Sequence, residues 1–162
     1  MDKLLEVKKT VTALMAALSA FLGWMGWLVV LYAVSMGIDY LTGSALAAKN
    51  GDWQSQKARE GLWHKAGSIL AVIVAALADF LLGLVLKNLP LRLPFTYTVL
   101  LCPVVLVWYI LTEMGSIVEN VGEMGAKVPV FLKNIIAVLH TGVEESGDKL
   151  VGKNKKQARV VK

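Results

Sequence analysis

The sequence has little charge, one cysteine and two histidines, and each shortage excludes a class of function. Only 18% of its 162 residues are charged, 56% are hydrophobic, and the mean hydropathy is +0.60, whereas an average soluble domain carries about 25% charged residues. This composition belongs in a bilayer. Cys102 is alone and lies inside an apolar run beside Pro103, so no internal disulfide can form. His64 and His140 are far apart and fit no zinc-ligand spacing such as HExxH. There is no phosphate-binding glycine loop, no serine or cysteine nucleophile motif, and no pair of carboxylates in a plausible soluble cleft. An enzyme is therefore the poorest reading, and no cofactor or metal is expected.

Three long apolar runs remain. The first has no charge between Lys9 and Asp39, which exceeds the roughly 20 residues needed to cross a hydrocarbon core. The second runs from Ala66 to Leu86 and is interrupted only by Asp79; the third, Leu93 to Thr112, lies between Arg92 and Glu113. The expected fold is an all-α integral membrane protein. A charged N-terminal segment (1–10) leads to transmembrane helices at 11–38, 66–86 and 93–112. A basic loop (39–65) separates the first two. A short hairpin (87–92) joins the last two, where Pro90 and Pro94 discourage a continuous helix. A signal peptide competes for the first run, but apolar residues continue well past the "ALSA" that imitates a cleavage site. Leu4, Val7, Val11, Leu14 and Leu18 recur at helical spacing beside Lys3, Glu6, Lys8 and Lys9. This pattern allows an amphipathic helix ahead of a span that starts near Ala20.

The basic residues set the expected orientation. Lys49, Lys57, Arg59, Lys65 and the C-terminal segment outweigh Lys3, Lys8, Lys9, Lys87 and Arg92, which favours an outside N-terminus and a cytoplasmic C-terminus. After an amphipathic helical region (113–140) comes a basic tail (141–162) containing Lys149, Lys153, Lys155, Lys156, Arg159 and Lys162, and disorder is expected there. The tail reads either as a solvated segment or as one that binds anionic lipid. It lacks the aromatic residues that nucleic-acid binding would need, so no nucleic-acid partner is expected.

Polar residues inside or beside the apolar runs are the candidate functional positions: Asp39, Thr42, Asp79, Glu113, Ser116, Glu119 and Asn120. A charged Asp79 at mid-span would cost about 2.5–3.5 kcal/mol on insertion scales, so it should be neutral, paired, or turned toward water or protein. It serves either a helix contact or a water-filled path in an assembly. Asp39 ends the first run as an interfacial cap or as a partner of Lys49, Arg59 or Lys65. Glu113, Ser116 and Asn120 share one helical face, which reads as the wet side of a helix leaving the membrane or as part of a vestibule. Small residues form stripes that let helices approach closely: Ala16, Ala20 and Gly23 on the first span, and Ala71, Ala75 and Gly83 on the second. Self-association accounts for both. Phe131, Leu132, Ile135, Ile136 and Leu139 form an apolar stripe after Pro129, expected to lie on the membrane.

Three segments in order carry a family resemblance: "MGIDYLTGSALAAKNGDWQSQKAREGLWHKAG", "LADFL" and "ILTEMGSIVENVGEMGAKVPVFLKNIIAVL". Across roughly residues 34 to 140 the chain resembles the phage holins and the related clostridial toxin-secretion holins. The resemblance implies a protein that accumulates in the bacterial cytoplasmic membrane and oligomerises with itself into lesions. The lesions would release a peptidoglycan hydrolase (endolysin) or a toxin, in some systems under the control of an antiholin. Two readings from other classes stand beside it: a small ion channel or transporter subunit using Asp79 and Glu113, and a membrane anchor with a recruiting basic tail.

Overall fold

A computed structural model describes residues 2–51, 55–88 and 99–158. Its regular elements are helices: α1 (Asp2–Lys49), α2 (Ser55–Asn88), α3 (Leu101–Glu123) and α4 (Val130–Ala158). Three stretches are long and apolar enough to cross a membrane: Gly23–Lys49, Gly61–Asn88 and Leu101–Glu123.

The limits of these helices differ from those expected from charge alone. α1 breaks at Gly23, whose φ of 61° and ψ of −173° take it out of the helix, and the stretch long and apolar enough to cross a membrane begins there, near the Ala20 start that an amphipathic entry helix allows. Positive φ is cheap only without a Cβ. The same helix continues past Asp39 to Lys49, because the carboxylate finds partners on other helices. Gly51, at φ 68°, then ends it, with the Asn50 and Gly51 amides donating to the Leu46 and Ala48 carbonyls. α3 begins at Leu101; positions 93–98 of the expected third span and 89–92 of the expected hairpin lie outside the described residues. α4 is helical as far as Ala158, beyond the expected end at 140 and into the stretch whose composition suggested disorder. Intrahelical support there includes Ser146 Oγ donating to the Gly142 carbonyl and an exposed Glu145–Lys149 pair at 3.7 Å.

α3 is the central helix and packs against the other three. It runs parallel to α1 and antiparallel to α2 and α4. Buried Tyr32 (α1), Ala75 (α2), Cys102 and Leu106 (α3) form the core, with Met25, Leu28, Met36, Val72, Val105, Tyr109 and Ile110 around them. The Tyr32 hydroxyl donates to Ser68 Oγ at 2.7 Å, and Ser68 in turn donates to the Lys65 carbonyl. Interhelical hydrogen bonds in membranes contribute modestly. Tyr32→Phe is therefore expected to cost about 0.6–1 kcal/mol, measured as a small drop in the thermal midpoint of the detergent-solubilised protein.

The outward faces of the three spans are largely apolar. Only 11%, 11% and 22% of the most apolar windows of the three spans are buried within the chain. Trp24, Val29, Leu31, Leu41, Leu70, Val74, Leu77, Phe80 and Leu81 point outward. That surface needs lipid or other helices around it.

Candidate functional site

Two polar constellations lie within the spans. The first joins α1, α2 and α3 through Lys65. Its Nζ donates to Asp39 Oδ2 at 2.9 Å and to Glu113 Oε2 at 2.5 Å. Asn120 Nδ2 lies 3.2 Å from Asp39 Oδ1 and 3.2 Å from Thr42 Oγ1. The three charged side chains are 11–16% exposed, which makes this a closed network and not a surface ion pair. A groove of about 740 Å³ borders it, with Ser116, Ser68, Trp63, His64, Trp108 and Tyr109 among its walls. Lysine reaches both carboxylates because its long stem can lie along α2 while the ammonium moves to where the acceptors are.

The second constellation is centred on Asp79. Its Oδ1 accepts from the Leu100 and Leu101 amides at 3.2 and 2.9 Å, and its Oδ2 accepts from the Cys102 amide at 2.7 Å. These amides are the donors that the start of a helix leaves without intrahelical partners. The next residue, Pro103, has no N–H, and the Val104 amide already closes onto the Leu100 carbonyl at 3.4 Å. Asp79 on α2 thus completes the first turn of α3 from a neighbouring helix, and a carboxylate there complements the positive end of the helix dipole. The other end of α3 is matched by charge as well: Lys49 Nζ donates to the Met124 carbonyl at 2.7 Å.

Of the polar positions picked out in the sequence, Asp39, Thr42, Glu113 and Asn120 converge, with Ser116 on the adjoining groove wall. Asp79 is separate from them. Glu119 is exposed and borders a different recess with Gly122, Glu123 and Lys133. Among the small residues, Ala75 is buried in the core and Ala71 half-buried, whereas Ala16, Ala20, Gly23 and Gly83 face outward. Lys149 is exposed. The side chains of Lys153, Lys155, Lys156, Arg159 and Lys162 lie outside the described residues. Asp39 pairs with Lys65 and not with Lys49, whose ammonium is engaged at the end of α3; the side chain of Arg59 lies outside the described residues. The Asp79 cap had no sequence signature, because its recipients are main-chain amides more than twenty positions away. Among the described residues, no group of His, Cys, Asp and Glu side chains is arranged to hold a metal ion.

The family model for the bacteriophage holin family matches residues 16–141. An uncharacterized protein of Halalkalibacterium halodurans is 31% identical over 133 residues, 82% of this chain and 93% of its own length. Uncharacterized proteins of Listeria monocytogenes and Listeria innocua are 28% and 29% identical over 111 and 110 residues, 68% of this chain in each case and 70% and 67% of their own lengths. No solved structure matches.

Proposed function

Because this chain belongs to the bacteriophage holin family, we propose that it acts as a holin. It gathers in the bacterial cytoplasmic membrane and opens lesions that collapse the membrane potential and let a folded peptidoglycan hydrolase, or a large protein cargo such as a toxin, leave the cytoplasm. The observation that carries this reading is the distribution of polarity. The polar groups of both constellations turn inward and satisfy one another, while the outward faces of all three spans are apolar. A single chain therefore presents mainly apolar span faces to lipid, and a hole for a folded protein requires many copies. The exposed small residues Ala16, Ala20, Gly23 and Gly83 suit contacts between copies. The reading requires no enzymatic chemistry of the chain.

The excess of basic residues on one side supports an outside N-terminus and a cytoplasmic C-terminus, with the basic tail near anionic headgroups. The functional partners under this reading are further copies of the chain and an endolysin or toxin cargo, with an antiholin as regulator.

Inducible expression in a bacterium, with membrane potential and optical density recorded together, tests it. The measurement is made with and without a cytoplasmic peptidoglycan hydrolase that lacks its own export signal. Abrupt depolarisation, with lysis only when the hydrolase is present, is the expected result. Depolarisation with no hydrolase-dependent lysis would replace the holin reading with a small channel. Neither effect, at verified membrane expression, would leave a membrane anchor.

A further inference from the structure

α4 occupies a position that half of its own surface opposes. It returns along α3: Lys133 and Gly122 border one recess, and His140 Nε2 lies 3.2 Å from Thr112 Oγ1 with its ring 4.9 Å from that of Trp108. One face follows α3 from Leu132 to Gly147, with Leu132, His140, Val143 and Gly147 half-buried and Ile136 buried. Thr112 and Trp108 lie inside the span Leu101–Glu123, so His140 does too. At a rise of about 1.5 Å per residue, Glu144, Glu145 and Asp148 follow roughly 6–12 Å beyond His140, beside the first turns of α3.

Those three carboxylates are exposed, as is Lys149. The outward face of the first half of α4 is mostly apolar: Val130, Phe131, Ile135, Val138 and Leu139 are exposed, with Asn134 among them and Lys133 at the edge. At the depth of the spans the first half suits lipid and the second half demands water, because hydrocarbon accepts exposed carboxylates only at high cost. The segment between α3 and α4 allows movement. Residues 124–129 are not helical, Gly125 has φ 99° with open space where a Cβ would stand, and Pro129 immediately precedes the new helix.

We propose that α4 is a hinged arm. While lipid surrounds the chain, the arm lies on the cytoplasmic surface of the membrane; when assembly brings water beside its acidic half, it docks along α3 through the lesion, carrying the end of α4 toward the other side, and Glu144, Glu145 and Asp148 become part of the lesion wall. This inference rests on the lesion reading given above.

The docked position can be trapped. In a C102A background, cysteines at T112C and H140C are treated in cells with a short, membrane-permeant bis-maleimide before and after the potential collapses. Intramolecular cross-linking at least fivefold greater after the collapse is the expected result. Equal cross-linking in both states, or none after a collapse that still occurs, overturns the arm and leaves the lesion reading intact. No collapse with the unsubstituted protein overturns the lesion reading, and the arm with it. A second variant tests the cause of undocking. With E144L/E145L/D148L no exposed carboxylate opposes docking in lipid, so cross-linking of the same cysteine pair before the collapse should rise to the level seen after it; cross-linking still at least fivefold lower before the collapse overturns the proposal.

Discussion

Lys65→Met is expected to be among the most damaging single changes in the chain. The ammonium is the shared donor for Asp39 and Glu113, and removing it leaves two carboxyl groups facing each other in a site 11–16% exposed. Breaking a buried ion pair from one side costs about 3–5 kcal/mol, because the surviving charge keeps its desolvation penalty and loses its partner. Here two groups are stranded, so the upper part of that range applies. The expected readout is a sharp fall in the amount of protein recovered from membranes, and in the thermal midpoint of what remains. Asp39→Asn/Lys65→Met/Glu113→Gln should recover much of the loss, since neutral amides can bond to one another and to Asn120. If Lys65→Met matched the wild type in yield and midpoint, the network would have no structural role.

The three members of this network were legible in the sequence once the topology was fixed. Asp39 follows the first apolar run, Lys65 precedes the second, and Glu113 follows the third. In an up-down-up arrangement these are the ends that meet on one side of the membrane. Charge at the edge of an apolar run was readable, but which cation would serve Asp39 was not. Lys49, Arg59 and Lys65 were equivalent by composition; the structure commits Lys49 to the carbonyl end of α3 and gives Asp39 to Lys65.

The limits of the helices were less legible, for a related reason. A rule that ends a span at the first charge stops α1 at residue 38, yet the helix runs on to Lys49 because Asp39 is satisfied by side chains remote in sequence. Conversely, the N-terminal limit of the span lies at Gly23, where the break is conformational and leaves the hydropathy pattern undisturbed. The stretch after residue 140 read as polar and aperiodic, yet it is helical to Ala158 despite Gly142, Gly147 and Gly152, with i,i+4 contacts such as Glu145–Lys149 that an apolar-periodicity test does not register.

Asp79→Leu is the second change expected to have a large effect, and it separates two roles for a carboxylate inside a membrane. A residue that only lines a water path could be replaced by leucine with a change in conduction and little change in stability. Asp79 instead accepts from three amides at the start of α3. Pro103 has no amide to donate, and among the described residues Asp79 is the side-chain acceptor for those three. In hydrocarbon there is no water to replace it. With each orphaned donor costing about 1–3 kcal/mol, the loss over three donors should be roughly 3–9 kcal/mol, enough to fray the first turn of α3 and loosen the packing of Cys102 and Leu106 against Ala75 and Tyr32. Asp79→Asn keeps one acceptor oxygen and should fall between the wild type and leucine. Amide hydrogen exchange at Leu100, Leu101 and Cys102 in detergent or nanodiscs reads this directly: protection should decrease in the order Asp, Asn, Leu. Equal protection in all three proteins would show that the first turn of α3 is held by something other than this cap.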